Sequence, residues 1–499
     1  MSATTARPTY PVSAATARAL ARPLFGHVID GEVVPSRDEA TMPVVDPATG
    51  EQVASAAAGA RADVDRAVGS ARAAFDDGRW RFLAPLEQER RLRRLAALLA
   101  DHADELAELD VIDSGLLRLY AGFIVQFAVD GIDYYSGWPT KLQGSVPAVP
   151  HEFAVYQVRE PIGVVGAIVP WNGPTAAAAM ATFALAAGNS VVLKPAEQTP
   201  MSAVLVAELA LEAGIPPGVF NVVQGIGEEA GAALVSHPGV RRVSFTGSPE
   251  TARHIGRAAA ESIVPFTGEL GGKGPLLVFA DADLDAAAAK AAGQYDDAGQ
   301  VCLAGTRILV EESVRDAFLE RLHAGIDRHV LGDPRDDDTT VSPLIHRDHL
   351  ERVQGFVERA RAGGDRIVRG GHLAERGGLW YEPTLIEPRS NDAEVVQREV
   401  FGPVLTFQTF RDEAEGVALA NSTPYGLSAI VYTGSEERAQ RVGTAVRAGT
   451  VWVNTFLVRD LTAPFGGVGI SGIGREGGDY ALDFYSELKT LQIREGTTT

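Results

Sequence analysis

The chain has 499 residues, of which 45% are hydrophobic and 22% are charged. This length and ordinary globular composition predict two or three substantial cores and exclude collagen-like, coiled-coil and wholly disordered chains. Lys and Arg number 45 against 65 acidic residues, a formal net charge of −20, which disfavours nucleic acid and anionic membranes as partners. A single cysteine, Cys302, excludes an intrachain disulfide and a cysteine-based metal cluster, so no metal is expected.

The N-terminal segment carries no targeting signal that we can identify. Residues 1–22 mix Arg, Ala, Thr and Pro without the apolar run of a signal peptide, and they predict a flexible tail. No stretch of the sequence approaches the roughly 20 apolar residues that a membrane-spanning helix needs. The sequence therefore favours a cytoplasmic protein.

Helical periodicity comes first along the chain. Leucines at three- and four-residue steps between Gly59 and Gly115 predict a pair of packing helices. An exposed strand is expected at 153–158. From Pro161 onward, helices of about a dozen residues alternate with five short apolar runs, at 163–170, 190–195, 219–223, 241–248 and 263–269. This alternation predicts a parallel sheet covered on both faces.

A second alternating series begins at Gly274. Its predicted strands are 276–279, 306–310, 405–410, 428–432 and 450–454, with helices expected from 284 to about 295, 315–328 and 348–362. Two successive doubly wound α/β domains place a cleft between them. Ligands of open α/β sheets bind beyond the carboxyl ends of the strands, so the chemistry is expected there.

The strands of the first series end in polar or glycine-rich loops, which is typical of a nucleotide site. These ends are Pro170-Trp171-Asn172, Lys194 to Glu197, Gly225 to Gly227 and Thr246 to Ser248. The G-x-G-x-x-G fingerprint is absent after the first strand. Ser248 could simply cap the next helix, and Lys194 with Glu197 could be a surface pair. In a nucleotide site, Lys194 would donate to a ribose hydroxyl or phosphate. Glu197 would then accept from ribose hydroxyls and favour NAD over NADP.

Two further residues have the character of reactive groups. Glu269 follows the fifth run between glycines, which permit close backbone approach and keep the carboxylate accessible. Cys302 comes 33 residues later in a loop bracketed by Gly299 and Gly305. A lone cysteine is commonly a small buried apolar residue, but this loop lies between two domains, which favours a reactive thiol.

Eight motifs in order resemble the NAD(P)-dependent aldehyde dehydrogenase superfamily, over roughly residues 25 to 495. They are PWN, KPAE, FTGS, ELGGK, GQVCLAGTR, EVFGPV (399–404), PFGG (464–467) and SGIGRE (471–476). The resemblance implies an aldehyde dehydrogenase-like α/β fold of two doubly wound domains with a small β oligomerisation element. The implied parts are an NAD-binding domain (23–139 and 160–270), a catalytic domain (271–454), the oligomerisation element (140–159 and 480–499) and an active-site loop region (455–479).

The same resemblance implies roles for site residues. The Cys302 thiolate would attack the aldehyde carbon, with the oxyanion held by the Asn172 amide and the Cys302 N–H. Glu269 would activate the water that hydrolyses the thioester. Glu476 would pass protons away from Glu269, or form a salt bridge with Arg475 or another basic residue. The implied cofactor-binding residues are Ile168, Trp171, Lys194, Glu197, Gly227, Ser248, Leu270, Glu399 and Phe401.

Asp296 and Asp297 depart from the family pattern, because an aromatic residue and an asparagine are frequent there. If these acids face Cys302, they would raise the pKa of its thiol. Alternatively, they point to solvent or bind a cationic group.

The substrate is left open between two classes of aldehyde. Met180 and the small residues at 173–177 belong to the implied substrate tunnel, which favours a bulky apolar or aromatic aldehyde. The segment from Asn454 to Gly478 resembles the hydroxymuconic and aminomuconic semialdehyde dehydrogenase branch, in which Arg459 would pair with a substrate carboxylate beside Phe465.

Two other functions and an assembly state also follow from the resemblance. Acylation of coenzyme A is disfavoured by Glu269, and a non-catalytic role is disfavoured by the complete set of reactive residues. Strands at 153–158 and 488–494 would pair between subunits, which predicts a homodimer or homotetramer.

Overall fold

A computed structural model describes residues 10–150 and 153–494. The predicted flexible tail is wrong for Ala14–Leu20, which form a helix, while residues 1–9 lie outside the described part. The Ser13 side chain caps this helix by accepting a hydrogen bond from the Thr16 N–H, and Leu20 is buried. An N-cap and an apolar anchor stabilise a short Ala-rich helix that its composition alone does not reveal.

The strands are, in chain order, β1 His27–Ile29, β2 Glu32–Val34, β3 Thr41–Val45, β4 Gln52–Ala57, β5 Phe153–Pro161, β6 Val164–Ile168, β7 Ser190–Lys194, β8 Phe220–Val222, β9 Val240–Gly247, β10 Phe266–Leu270, β11 Pro275–Val278, β12 Arg307–Glu311, β13 Arg366–Arg369, β14 Thr384–Glu387, β15 Val404–Phe410, β16 Ser428–Tyr432, β17 Thr450–Val453, β18 Gly472–Ile473 and β19 Ser486–Arg494.

The α-helices are α1 Ala14–Leu20, α2 Arg61–Asp76, α3 Pro85–Asp101, α4 Ala103–Ser114, α5 Arg118–Ser136, α6 Pro174–Met180, α7 Phe183–Ala186, α8 Met201–Glu212, α9 Ala232–Val235, α10 Pro249–Glu261, α11 Leu284–Ala292, α12 Arg315–Ile326, α13 Arg347–Ala362, α14 Glu394–Gln397, α15 Glu413–Ala420, α16 Glu436–Ala445 and α17 Tyr480–Tyr485. No helix of residues 10–150 and 153–494 has the length and apolar character needed to cross a bilayer.

The first sheet has the strand order β18-β10-β9-β6-β7-β8-β1-β2. Its five central strands run parallel, which confirms the sheet predicted from the first alternating series. Antiparallel edges were not predicted, because β1, β2 and β18 come from distant parts of the chain. In the last pairing, Glu269 lies opposite Gly472, so a C-terminal segment closes the edge beside this carboxylate.

The second sheet has the order β13-β14-β15-β12-β11-β16-β17, and all of its pairs are parallel except β13 with β14. The five strands predicted for the second series are present. The sequence reading missed β13 and β14, which are only four residues long and follow loops without a clear period. Together the two sheets confirm the doubly wound α/β class.

The strands β5 and β19 form a separate antiparallel ribbon, in register from Phe153 opposite Arg494 to Pro161 opposite Ser486. The sequence analysis did not predict this pairing within one chain; pairing of the ribbon between subunits stays a prediction. Helix α17 buries Ala481 and Tyr485 against the first core, and the chain then turns back along β5. Apolar side chains remain exposed on the ribbon: Tyr156, Val158, Leu488, Leu491 and Ile493.

Candidate active site

A cavity of about 550 Å³ lies between the two sheets. Twelve of the predicted site residues line it: Trp171, Asn172, Met180, Ser248, Glu269, Leu270, Cys302, Glu399, Phe401, Arg459, Phe465 and Glu476. Ile168, Lys194, Glu197 and Gly227 do not line this cavity. They lie instead at and beyond the ends of β6, β7 and β8 in the first sheet. The structure thus brings most of the predicted residues to one place.

The cysteine loop begins with a strained backbone kink. Asp297, Ala298 and Gly299 follow one another with φ of 53°, 53° and 64°, a conformation costly for the first two. The Asp297 carboxylate holds the kink by accepting from the Ser342 hydroxyl at 2.9 Å and from the Leu117 N–H at 3.4 Å. This anchoring fixes the approach of the chain to Cys302.

Burial raises the pKa of the Cys302 thiol to about 12, with the charges of Glu399 and Glu269 acting in the same direction. The nearby Arg459 guanidinium opposes this shift. A thiol with so high a pKa is mostly protonated at neutral pH, so its thiolate is a minor species.

Asn172 follows β6 in the predicted loop and reaches the cysteine loop. Its side-chain Nδ2 donates a hydrogen bond to the backbone carbonyl of Gln300 at 2.9 Å. A side-chain amide has two N–H donors, so one remains for a ligand oxygen. Asn172 therefore both anchors the loop and offers a donor close to Cys302.

Glu269 lies at the end of β10 and is only 5% exposed. Neither carboxylate oxygen has a hydrogen-bond partner among the described residues. Burial, followed by the charge of Glu476, raises its pKa well above the ordinary value, while Arg459 and Arg475 act against the shift. An unpartnered carboxyl with a raised pKa is suited to proton transfer near neutral pH.

Glu476 lines the same cavity, and burial raises its pKa. Its backbone pairs with that of Phe465, which brings the two C-terminal motifs together. Arg475 instead donates to the carbonyls of Gly467 and Gly474 at 2.9 and 2.7 Å. Among the described residues, no Arg or Lys forms an ion pair with Glu476, so the salt-bridge alternative is not realised.

Arg459 lies between two aromatic rings in the cavity wall. Its guanidinium carbon is 4.7 Å from the Phe127 ring centroid and 4.0 Å from that of Phe465. Burial lowers its pKa, and the charges of Glu476 and Glu269 partly restore it. No hydrogen bond engages the guanidinium within residues 10–150 and 153–494, so its donors stay available to an anionic group.

Lys194 and Glu197, at and just beyond the end of β7, are hydrogen-bonded to each other. Buried Lys194 donates from Nζ to Glu197 Oε2 at 3.1 Å and to the Pro195 carbonyl at 3.0 Å. Burial would raise the pKa of Glu197, but the charge of Lys194, together with hydrogen bonds from the backbone, Lys194 and Gln198, outweighs this and lowers it. Glu197 is therefore ionised.

Glu399 reaches the ELGGK segment. A Cβ on residue 271 would collide with the Glu399 carboxylate and displace it, while the Gly272 N–H donates to Oε1 at 2.8 Å. Burial raises the pKa of Glu399 to about 7. Ser248, by contrast, does cap α10 by accepting from the Thr251 N–H, as its simpler interpretation requires.

Two residues of α13 that the sequence analysis missed hold the backbone around Phe401. Arg352 donates to the carbonyls of Glu399, at 2.7 Å, and Val400, and the ring Nε2–H of His349 donates to the Phe401 carbonyl at 2.7 Å. Phe401 has φ of 59°, unusual for a bulky residue. In the sequence, the one signal for a shared role is their i, i+3 spacing on a helix. Their acceptors lie about 50 residues further along the chain, so no local motif connects them.

For Asp296 and Asp297, we expected either an effect on the pKa of Cys302, exposure to solvent or contact with a cationic group. Both line the cavity rather than pointing to solvent, yet neither is among the groups that shift the pKa of Cys302. Asp297 is engaged by Ser342 and Leu117. Asp296 accepts from the Tyr120 hydroxyl at 2.9 Å.

Two mostly parallel sheets with a cysteine-containing cavity between them define a doubly wound α/β protein with its site at a domain interface. Comparison with known proteins agrees: the model of the Aldehyde dehydrogenase family matches residues 33–491. The chain belongs to the aldehyde dehydrogenase family.

Individual relatives cover nearly the whole chain. A betaine aldehyde dehydrogenase of Cereibacter sphaeroides is 39% identical over 480 residues, 95% of this chain and 98% of that protein. The structure of HpcC from Thermus thermophilus superposes with a TM-score of 0.92 at 42% identity, covering 96% of this chain and 94% of its own. The AldA indole-3-acetaldehyde dehydrogenase of P. syringae, in complex with NAD+ and IAA, also reaches 0.92 at 40% identity, covering 96% and 98%.

Proposed function

We propose that this protein oxidises an aldehyde to the carboxylic acid with NAD, through a covalent intermediate on Cys302. The observation that carries the proposal is the convergence of Cys302, Asn172 and Glu269 in one cavity between the sheets. A nucleophile, an oxyanion donor and a carboxyl with a raised pKa form the set that acyl chemistry on a thiol requires.

The reaction starts at the thiol. The Cys302 thiolate attacks the carbonyl carbon, and the resulting oxyanion accepts hydrogen bonds from the free Asn172 N–H and the Cys302 backbone N–H. NAD, when bound, supplies a hydride acceptor, and the acyl group stays on Cys302 as a thioester. Glu269 then takes a proton from water, which attacks the thioester and releases the acid and the thiol. Glu476 would take protons onward from Glu269.

The residues present fit NAD. Glu197 is an ionised carboxylate that would accept from ribose hydroxyls and repel a 2′-phosphate, which disfavours NADP. Glu399 and Phe401 would hold the nicotinamide ribose and ring. Ile168, Trp171, Gly227, Ser248 and Leu270 complete the proposed cofactor site. A Cβ on Gly227 would meet nothing within 4 Å, which leaves room for a ligand.

The substrate class favoured is a bulky apolar or aromatic aldehyde. Ile124, Phe127, Met180, Trp452 and Phe456 make much of the wall apolar. A carboxylate-bearing semialdehyde is the second candidate, because the Arg459 donors stay available beside Phe465. In the second candidate, Arg459 forms an ion pair with a substrate carboxylate. In the first, Arg459 acts only on the charges of Glu269 and Glu476.

An aldehyde panel with NAD tests both candidates. Wild-type protein should form NADH with aromatic aldehydes, and Cys302→Ala should form none while still binding NAD. If Arg459→Ala loses activity only toward carboxylate-bearing aldehydes, the second candidate replaces the first. NADH formation by Cys302→Ala at the wild-type rate would refute the mechanism, and product formation that depends on coenzyme A would revive the acylating alternative.

A homodimer or homotetramer is the proposed assembly. The exposed apolar side chains of the β5–β19 ribbon support it: Tyr156 lies opposite Leu491, and neighbouring exposed apolar side chains favour burial against another surface. The proposed oligomerisation element, domain boundaries and cytoplasmic location remain predictions. A solution mass equal to the 52.7 kDa chain would contradict the assembly.

A further inference from the structure

The carboxylate of Asp296 is an acceptor in the cavity wall that the proposed mechanism does not use. Its side chain is 29% exposed, and Oδ2 accepts a hydrogen bond from the Tyr120 hydroxyl at 2.9 Å. Its other oxygen, Oδ1, accepts no hydrogen bond within the described residues. The Nδ1 atom of His329 lies 3.6 Å from Oδ1, beyond hydrogen-bond distance. One carboxylate oxygen thus keeps its acceptor capacity.

His329 does not donate a hydrogen bond to Oδ1, since both of its ring nitrogens bond to other groups. Its Nε2 donates to the Ala292 carbonyl at 2.9 Å, and its Nδ1 is hydrogen-bonded to the Thr340 hydroxyl at 3.0 Å. Both ring nitrogens therefore have partners. The interaction of His329 with Asp296 is a longer-range electrostatic contact.

The Asp296 side chain is held by the backbone that follows it and by a hydrogen bond to its carboxylate. The kink at Asp297 and Ala298 follows it immediately, and the Ser342 hydroxyl holds that kink. Tyr120 fixes the Oδ2 atom from α5. Strained, multiply anchored backbone of this kind concentrates at functional sites, and a fixed carboxylate loses little conformational entropy when it binds a ligand.

The surroundings of this oxygen are mostly apolar. Ile124, Phe127 and Phe456 line the same cavity, and a ligand donor that reached Oδ1 there would be partly shielded from water, which strengthens a hydrogen bond to a carboxylate. Gln294, a polar neighbour in the wall, is by contrast satisfied by the Lys290 carbonyl and the Gly305 N–H.

Asp296 and Cys302 line the same cavity. Asp296 is held by Tyr120 near the start of α5, whereas Arg459, which acts on the thiol, stacks on Phe127 seven residues further along that helix, about 10 Å. A substrate whose aldehyde is at Cys302 would therefore extend along a cavity that also exposes Asp296.

We propose that Asp296 selects aldehydes whose apolar or aromatic body carries a hydrogen-bond donor, a hydroxyl or an ammonium, at the end remote from the aldehyde. This inference rests on the proposed aldehyde oxidation and narrows its substrate class. The carboxylate accepts the donor at Oδ1, with the ion pair adding to the hydrogen bond in the ammonium case. Asp296 is a specificity residue and takes no part in the chemical steps.

The experiment uses pairs of para-substituted benzaldehydes of equal shape. 4-(Hydroxymethyl)benzaldehyde is compared with 4-ethylbenzaldehyde, and 4-[(dimethylamino)methyl]benzaldehyde with 4-(2-methylpropyl)benzaldehyde. Wild-type kcat/KM should favour the donor member of at least one pair by about tenfold or more, since a site built to bind a donor rejects the analogue lacking it. The pair that shows the preference distinguishes hydroxyl from ammonium.

Asp296→Asn should reduce that preference to about threefold or less while retaining turnover of the ethyl and 2-methylpropyl compounds. Asp337→Asn makes the same chemical change at an exposed position and should leave the preference intact. Equal kcat/KM within both pairs, or an unchanged preference in an active Asp296→Asn, would overturn the inference while the apolar aldehydes still demonstrate the oxidation. Absence of turnover for every aldehyde would instead refute the proposed function, and this inference with it.

Discussion

The side-chain amide of Asn172 donates to the backbone carbonyl of Gln300, two residues before Cys302, at 2.9 Å. This bond links the loop after β6 in the first sheet to the cysteine loop of the second. In the proposed mechanism, the second amide N–H would donate to the carbonyl oxygen of a bound aldehyde, and this bond would hold that donor in place beforehand.

Replacing Asn172 by Ala should lower kcat by about 10²–10³-fold, the usual loss for one oxyanion donor. NAD affinity, followed by protein fluorescence, should stay within about twofold, because the Asn172 side chain bonds the Gln300 carbonyl and none of the proposed cofactor-binding residues. Steady-state kinetics with an aromatic aldehyde provide the measurement. A variant with wild-type kcat would show that Asn172 only anchors the loop.

The thiol can be followed without interference because Cys302 is the single cysteine. Its pKa of about 12, raised by burial and then by Glu399 and Glu269, predicts slow alkylation at pH 7. The iodoacetamide rate should increase about tenfold per pH unit between pH 7 and 10, since only the thiolate reacts. Intact-mass spectrometry of cofactor-free protein measures this rate.

Glu269→Gln should speed that alkylation at a given pH, because it removes a charge that disfavours the thiolate. Cys302→Ser gives the unlabelled baseline. A rate that is flat from pH 7 to 10 would mean that the thiol is already ionised, contrary to its buried setting.

Glu269→Gln should separate the two halves of the reaction. In the proposed mechanism, attack by Cys302 and formation of the thioester proceed without this carboxyl, whereas hydrolysis uses it. Rapid mixing should show a burst of about one NADH per active site, followed by turnover reduced by about 10²–10⁴-fold. Loss of the burst as well would assign Glu269 to the first half of the reaction.

Arg352 should matter for cofactor affinity although it holds only backbone. Removing its hydrogen bonds to the Glu399 and Val400 carbonyls frees a segment whose Phe401 is held at a positive φ. Arg352→Ala should weaken NAD binding by about tenfold or more, since hydrogen bonds to charged groups are each worth about 1.5–3 kcal/mol. Titration calorimetry with NAD checks this.

Arg347→Ala is the matched control, because that residue is exposed on the same helix. Arg352→Lys should recover part of the affinity. Wild-type NAD affinity in Arg352→Ala would show that β15 and the packing of α13 suffice to hold the segment.

The sequence predicted much of the fold because its local patterns agree with the tertiary structure. The five apolar runs from 163 to 269 form β6 to β10. Gly271 and Gly272 allow the Glu399 carboxylate to lie close to their backbone, as expected of glycine. The short strands β1, β2 and β13 escaped notice, because three or four residues carry too little periodicity. Residues 14–20 were predicted to belong to a flexible tail but form a helix, because the residues that bury one face of this helix are distant in the sequence.

For the site, residue types and order were enough to identify the family and to select Cys302, Glu269 and Asn172. They were not enough for contacts between segments far apart in the chain. Arg352 and His349 reach carbonyls some 50 residues on, and Asp296 meets Tyr120 across 176 positions. Such pairings depend on how two sheets and α5 pack, which no local pattern encodes.

The lone cysteine and the ordered motifs were thus determined by the sequence alone, since chemistry resides in residue type and short spacing. Where the side chains of Asp296 and Asp297 point, what Arg459 stacks on, and that β19 lies along β5 in its own chain were decided only by the tertiary structure. The reason is physical: a side chain's pKa, partners and exposure are set by burial among residues that folding brings together from distant positions.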